Sequence, residues 1–449
     1  MYKRQQLQNK PFRAPKKQVS GRFHASKPAF TKAVEEEEEK KPVKVRENFY
    51  TLEDHKRQLS AWIETEHIPG KFQAWFTAEA DPMHSDWRIK TVYKGPQELL
   101  EIEAPIRKME APELVHQILE QLKKDHLRAF RKSIRQIWLR ATGDGRFAML
   151  VQANLRGKNS AHASKTFVDF VQRSCPEVIS MHFIQCKPDY LFDPAAVQNM
   201  HTEAKNVFGN DFMPIAETGF AMHVLDWAPR VKDAWLGLPK RIENAIHPAK
   251  GDKLFEFYSA SSYVGASLAN AFEKVESLDC RESAMLSARH NAKVLLDENL
   301  RFHRQKLEAD FIAKFFSKSE NDGRWTFYFN LPGDEPMPAG VVQTAAASRP
   351  ERILMQTSNL EVAIKEIRKF RNEGYVLRKS LPLYLEDGSS KFEVLFIFVP
   401  DRNGLLGHNP ANFAKSRNVQ RPKERLERGN NGDIPHFVQK VATFRQRKD

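Results

Sequence analysis

Three cysteines, Cys175, Cys186 and Cys280, supply all the thiols of the 449-residue chain, and none stands in a Cys-x-x-Cys pair. They cannot build a disulfide framework or a four-cysteine metal site. The 15 histidines are scattered, and no His-x-x-x-His or carboxylate pair marks a metal site. His182, between Met181 and Phe183 in a strand pattern, reads as a packed histidine rather than a ligand. Ser358-Asn359-Leu360-Glu361 has the form of a capping box that opens the following amphipathic helix.

Charge points to a polyanion. The chain carries a net +14, and residues 1–33 hold nine Lys or Arg and no acid. Residues 401–449 hold eleven basic and five acidic side chains, so residues 34–400 are left at −1. Both ends are rich in Gln, Asn, Pro, Lys and Arg, a composition that stays disordered in isolation and releases counterions on meeting RNA or DNA. The competing reading is that the tails aid solubility, or that Glu35–Glu39 folds back and masks the basic arm. Val394–Val399 is far shorter than a bilayer span, and Met1–Lys10 is too polar for a signal peptide. A cytoplasmic protein without a membrane partner is the expectation.

The elements that must position any chemistry fall into two groups. Leu114, Val115, Ile118, Leu119 and Leu122 recur at helical spacing behind Pro112. Ile134–Ala141 and Phe147–Leu155 flank an Asp-Gly turn and predict a hairpin. Ser164–Gln172 reads as a helix and Ile179–Gln185 as a strand, whereas 193–210 is polar and turn-rich. From Lys253 strands alternate with helices: 254–258, 275–278, 325–329 and 353–356 as strands, and 264–272, 283–296 and 360–373 as helices, with Gly374 at a C-cap. Tyr375–Leu385 and Phe392–Val399 close the pattern as an antiparallel hairpin. The fold class expected is α/β: a Rossmann-like doubly wound domain preceded by a smaller α+β domain, with disordered basic tails. Such a sheet binds ligands outside the C-terminal ends of its strands.

The segments 256–269, 277–292, 352–367 and 391–398 resemble, in order and spacing, the RNA (uracil-C5) methyltransferases, and residues 86–192 are similar to that family's smaller central domain. The resemblance implies a class I methyltransferase domain that binds S-adenosylmethionine, a cysteine that attacks uracil C6, and methyl transfer to C5. It divides the chain into a basic-then-acidic tail (1–52), a central RNA-binding domain (53–210), a methyltransferase-like domain (211–400) and a basic tail (401–449).

In the family the first strand-to-helix turn runs Asp-x-Tyr-Cys-Gly-x-Gly-x-x-Gly. Here Glu256 stands for the Asp, Tyr258 is kept, Ala260 and Ser262 replace two glycines, and Gly265 remains. Asp279 matches the acid that takes the ribose hydroxyls. Asp-Pro-Pro-Arg falls on Asn330-Leu331-Pro332-Gly333, and the nucleophilic cysteine falls on Ser358. Glu393 matches the general base, with Lys391 where a histidine usually stands. The family's Phe-x-Gln-x-Asn has no clear counterpart around Phe220–Asp226, and the iron–sulfur cysteines of some members are absent. The implied cofactor residues are thus Tyr258, Gly265, Asp279 and Asn330, and the implied catalytic ones Glu393 and the position of Ser358.

Two functions follow from this pattern. One is an RNA-binding protein that keeps the methyltransferase fold, recognises rRNA or tRNA or a ribosomal particle, and has impaired uracil-C5 chemistry. The other is an active RNA methyltransferase using a mechanism without cysteine.

Overall fold

The computed structural model describes residues 81–402 except 107–108, 186–189, 195–201, 217, 229–231, 296–298, 319–323, 333–334 and 386–391, together with positions 54, 57, 60 and 61. Residues 1–33 and 403–449 of the charged tails, the acidic run, Gly333 and Lys391 lie outside the described residues.

The first sheet has six strands in the order β2-β1-β3-β4-β5-β6, formed by β1 (Trp87–Lys94), β2 (Gln97–Glu103), β3 (Ile134–Ala141), β4 (Phe147–Ala153), β5 (Val178–Gln185) and β6 (Glu203–Phe208). Neighbours run antiparallel except β4 and β5, which are parallel. The helix α2 (Lys158–Ser174) makes that crossover, as a parallel pair requires. The apolar stripe of α1 (Glu113–Lys123) buries Leu114, Val115, Ile118 and Leu122 in one core with Phe167 and Val171 of α2 and Ile137, Leu139, Met149 and Val151 of the sheet. The Asp-Gly hairpin forms with Ala141 opposite Phe147. Three strands of this sheet escape the sequence pattern: β1, whose apolar period is masked by polar residues, and the edge strands β2 and β6, which bury no side chain and so carry no apolar period.

A two-stranded hairpin, β7 (Phe212–Pro214) and β8 (Ala221–His223), and the helix α3 (Leu238–Ile246) lead into the second sheet. This has seven strands in the order β11-β10-β9-β12-β13-β15-β14: β9 (Asp252–Phe257), β10 (Lys274–Asp279), β11 (Leu300–Arg304), β12 (Arg324–Asn330), β13 (Arg352–Thr357), β14 (Tyr375–Leu385) and β15 (Phe392–Pro400). The first five are mutually parallel, and β15 runs antiparallel to both neighbours. The connecting helices are α4 (Tyr263–Ser267), α5 (Glu282–Leu295), α6 (Ala309–Lys318), α7 (Val341–Ala347) and α8 (Leu360–Asn372).

Strand periodicity sorts the side chains of this sheet by face. Phe255 and Phe257 stack with centroids 4.4 Å apart, and β12 pairs Phe327 and Phe329 beside them, giving an aromatic core on one face. The residue between them, Glu256, turns to the other face, in register with Ser277 on β10 and Tyr328 on β12.

One expectation is corrected here. The N-cap of α8 is Asn359 rather than Ser358: its side chain accepts from the amides of Glu361 at 2.9 Å and Val362 at 3.1 Å. Asn359 holds the extended backbone of a cap, so its oxygen reaches the first-turn amides, while Ser358 is exposed one residue outside the helix.

Candidate functional site

The C-terminal ends of β9, β10, β12 and β13 lie side by side, and Tyr258, Asp279, Asn330 and Ser358 stand at or one residue past them. Because β15 is antiparallel, its start comes to the same edge: Thr357 pairs with Val394, and Glu393 is the next residue out. The topology therefore gathers at one edge of one sheet residues separated by 135 positions in sequence.

The turn after β9 keeps the backbone of a glycine-rich loop without its glycines. Tyr258, Ala260 and Ser262 have φ of 57°, 49° and 56°, a left-handed region that costs a non-glycine residue roughly 1–2 kcal/mol. Several hydrogen bonds hold it there. Ser262 N donates to Ser259 O at 2.7 Å, and Ala260 N donates to Asp279 Oδ2 at 3.0 Å. Beneath the turn, Glu256 Oε2 accepts from Gly265 N at 3.2 Å and Ser277 Oγ at 3.0 Å. Gly265 has no alternative, since a Cβ there would lie 2.4 Å from Glu256 Oε2. Burial is the main influence on Glu256 and raises its pKa to about 8, so the carboxyl is a protonated structural group at neutral pH.

Asp279, the acid at the end of β10, is buried and already saturated. Its Oδ1 accepts from Arg281 N and Arg281 Nε, each at 3.0 Å. Its Oδ2 accepts from Arg281 Nη2 at 2.7 Å and from Ala260 N. A carboxylate offers about four lone-pair directions, and these four donors take them. Burial pushes the Asp279 carboxyl up, but the charge and hydrogen bonds of Arg281 outweigh it and hold the pKa below its ordinary value. Arg281 Nη1 also lies 4.0 Å from the fully buried Asp226, whose pKa burial raises to about 6. Sequence reasoning missed both Arg281 and Asp226. The Asp-Cys-Arg at 279–281 was the available signal for the first; nothing local marked the second, which packs against α5 through Ser287 Oγ at 2.8 Å.

A second polar line crosses the sheet on the Glu256 face. Tyr328 Oη donates to Gln356 Oε1 at 2.6 Å, and Gln356 Nε2 donates to Glu393 Oε1 at 2.6 Å. Glu393 is half-buried, tied through Gln356 to the centre of the sheet. Asn330 is buried at the end of β12, and the next amide, Leu331 N, donates to Gln356 O. Tyr258 is partly buried, and burial pushes its phenol up. His182 is fully buried, with Nε2 3.0 Å from Asp211 Oδ1. Among the described residues no group of three or more His, Cys, Asp or Glu could hold a metal ion.

An adenosyl cofactor in a fold of this kind sets its ribose on the acid at the end of the second strand. As arranged, the residues do not fit it: the four lone-pair directions of Asp279 are taken, and Ala260 and Ser262 put side chains on a turn whose left-handed backbone suits glycine. Two clefts of the described surface lie elsewhere. One of about 570 Å³ borders β7, β8 and His290, and one of about 350 Å³ lies in the first sheet. No described helix is long and apolar enough to cross a membrane.

No protein-family model matches the chain. In sequence it is similar to the uncharacterized RNA methyltransferase YljE of Lactococcus lactis, 25% identical over 149 residues, which are 33% of this chain and 31% of that protein. The match thus spans about a third of the relative's length. In structure it is similar to the tRNA (uracil-54, C5)-methyltransferase of Pyrococcus abyssi in complex with S-adenosyl-L-homocysteine. That likeness has a TM-score of 0.52 and 13% identity and covers 78% of this chain and 82% of that one. The strand order 11-10-9-12-13-15-14 and these two likenesses together make the chain a class I methyltransferase fold that resembles the RNA (uracil-C5) methyltransferases.

Proposed function

We propose that the protein binds RNA on a class I methyltransferase scaffold and that its uracil-C5 chemistry is impaired. One observation carries the proposal: the ribose-binding acid of the fold, Asp279, is saturated by Arg281 and Ala260 N. S-adenosylmethionine can use that acid only if the Arg281 guanidinium first leaves it, which strips a buried ion pair of its partner.

The chemistry at the other end of the edge points the same way. Addition to C6 activates C5 of a pyrimidine, and a cysteine offers a few per cent thiolate at neutral pH for that attack, whereas the hydroxyl of Ser358 needs a base. Glu393 is held by Gln356 as part of the sheet's polar line. The RNA half of the proposal is supported by the basic ends of the chain and by the likeness to RNA-modifying enzymes, with rRNA or tRNA as the class and a ribosomal particle as a setting. A cytoplasmic location is part of the same reading.

The test is a calorimetric titration of the full chain with S-adenosylmethionine, run beside methyl transfer to total RNA and RNA binding at two salt concentrations. We expect weak or absent cofactor binding, no transfer, and RNA affinity that falls steeply with salt. Tight cofactor binding with transfer would establish the alternative, an active enzyme working without cysteine.

A further inference from the structure

The described body carries one pronounced concentration of positive charge. Residues 34–400 sum to −1, yet Lys123–Arg135 holds six Lys or Arg against one acid, Asp125. This segment leaves α1, makes the one-turn helix Arg128–Arg131 and enters β3. It forms one wall of the cleft of about 350 Å³ in the first sheet, through Arg128, Arg131 and Lys132. The β1–β2 hairpin forms the other, with Leu99 and Leu100 and a single acid, Glu98.

The basic groups differ in what holds them. Arg131 Nη1 donates to the carbonyls of Leu122 at 3.0 Å and Lys123 at 2.7 Å, which caps the end of α1 and fixes the guanidinium at the groove. Arg128 and Lys132 are exposed, and neither is paired with a carboxylate among the described residues. Lys123, by contrast, is engaged with Glu120 at 2.5 Å. The hairpin adds an aromatic: Tyr93 is 70% exposed and stands two residues from Thr91, hence on the same strand face as a wall of the groove. A groove walled by fixed and unpaired cations, with an exposed ring on the same face of its adjoining strand, is the equipment that takes single-stranded nucleic acid, phosphates on the cations and a base on the ring.

We propose that this groove is a docking site for a single-stranded segment of RNA, with phosphates on Arg128, Arg131 and Lys132 and an unpaired base on Tyr93. The proposal rests on the RNA-binding reading above and assigns it a surface within the first sheet. The charged tails then add affinity of their own without setting where the strand lies.

The experiment measures fluorescence anisotropy of a labelled 12-nucleotide oligouridine with the full chain over a series of salt concentrations. It compares the wild type, Arg128→Glu/Lys132→Glu, Tyr93→Ala, and Lys314→Glu/Lys365→Glu as an equal charge change on the second sheet's helices. We expect the first double variant to bind at least tenfold more weakly, with the salt slope reduced by at least about 1.4, or about 0.7 for each lost phosphate contact. Tyr93→Ala should weaken binding severalfold with the slope unchanged, and the control pair should lose less than threefold. If the wild type binds the probe and the two double variants behave alike, the groove is overturned while the RNA reading stands. If the wild type binds neither this probe nor total RNA, both fall together.

Discussion

The Arg281 guanidinium reaches back to the carboxylate of Asp279, two residues earlier, with Nη2 2.7 Å from Oδ2 and Nε 3.0 Å from Oδ1. Asp226 stands on its other side, so one buried cation answers two buried acids. Removing the cation leaves both acids without a charge partner, and Arg281→Ala should therefore cost about 3–5 kcal/mol of stability at neutral pH, read from urea unfolding. The loss should shrink in acid. The folded pKa of Asp279 is lowered, so the stability it contributes is present above its unfolded value of 3.8 and is lost as pH falls through the lower folded value. A loss that is the same at pH 3 and pH 7 would rule out this account.

Glu256 sets a trend of the opposite sign. Its folded pKa, about 8, lies above the ordinary 4.5, so its contribution is complete below 4.5 and disappears as pH rises through 8. Within that window the folded state binds the extra proton. Glu256→Gln keeps an acceptor for Gly265 N and Ser277 Oγ and removes the titration. Its melting temperature should fall less than that of the wild type between pH 5 and pH 8; parallel curves would show that Glu256 is ionised in the folded protein.

Gly265 and Ala260 should respond to substitution in opposite ways. A Cβ at 265 meets Glu256 Oε2 at 2.4 Å and Ser277 Oγ at 3.0 Å, so Gly265→Ala should destabilise by more than about 2 kcal/mol. Ala260 sits at φ 49°, where glycine relieves strain of about 1 kcal/mol or more and loses part of that gain to unfolded-chain entropy. Ala260→Gly should leave stability unchanged or raise it by up to about 1 kcal/mol. A clear loss in chemical denaturation would mean that the methyl group's packing outweighs the backbone.

The cap of α8 separates two neighbouring side chains. Asn359→Ala removes the acceptor for two first-turn amides and should cost about 1 kcal/mol, whereas Ser358→Ala, outside the helix and exposed, should cost less than about 0.5 kcal/mol. If methyl transfer to RNA is detected, an unchanged rate in Ser358→Ala and Glu393→Gln would locate the chemistry in other residues.

Much of the architecture was legible in the one-dimensional pattern because it is written in local periodicity. Alternation of apolar strands with amphipathic helices from Lys253 onward, the Asp-Gly hairpin at 143–146 and the glycine after α8 follow from spacing and turn chemistry alone, and each formed. The strands β1, β2, β6 and β11 were not legible: β2, β6 and β11 lie at sheet edges and bury at most one side chain, and polar residues mask the period of β1. Charge was equally plain in the sequence: a neutral middle between two basic ends needs no fold to be seen.

What tertiary structure decided is who meets whom. That Ala260 N completes the donors on Asp279, that Asp226 approaches the Arg281 guanidinium from another segment, and that Glu256 lies under the turn rather than facing a ligand all depend on strand order and burial. So does the line from Tyr328 through Gln356 to Glu393, which joins three strands. Residue types and spacing state which groups a chain owns; hydrogen-bond saturation and desolvation arise only when distant segments close around them, and these two effects set what the edge of the sheet can do.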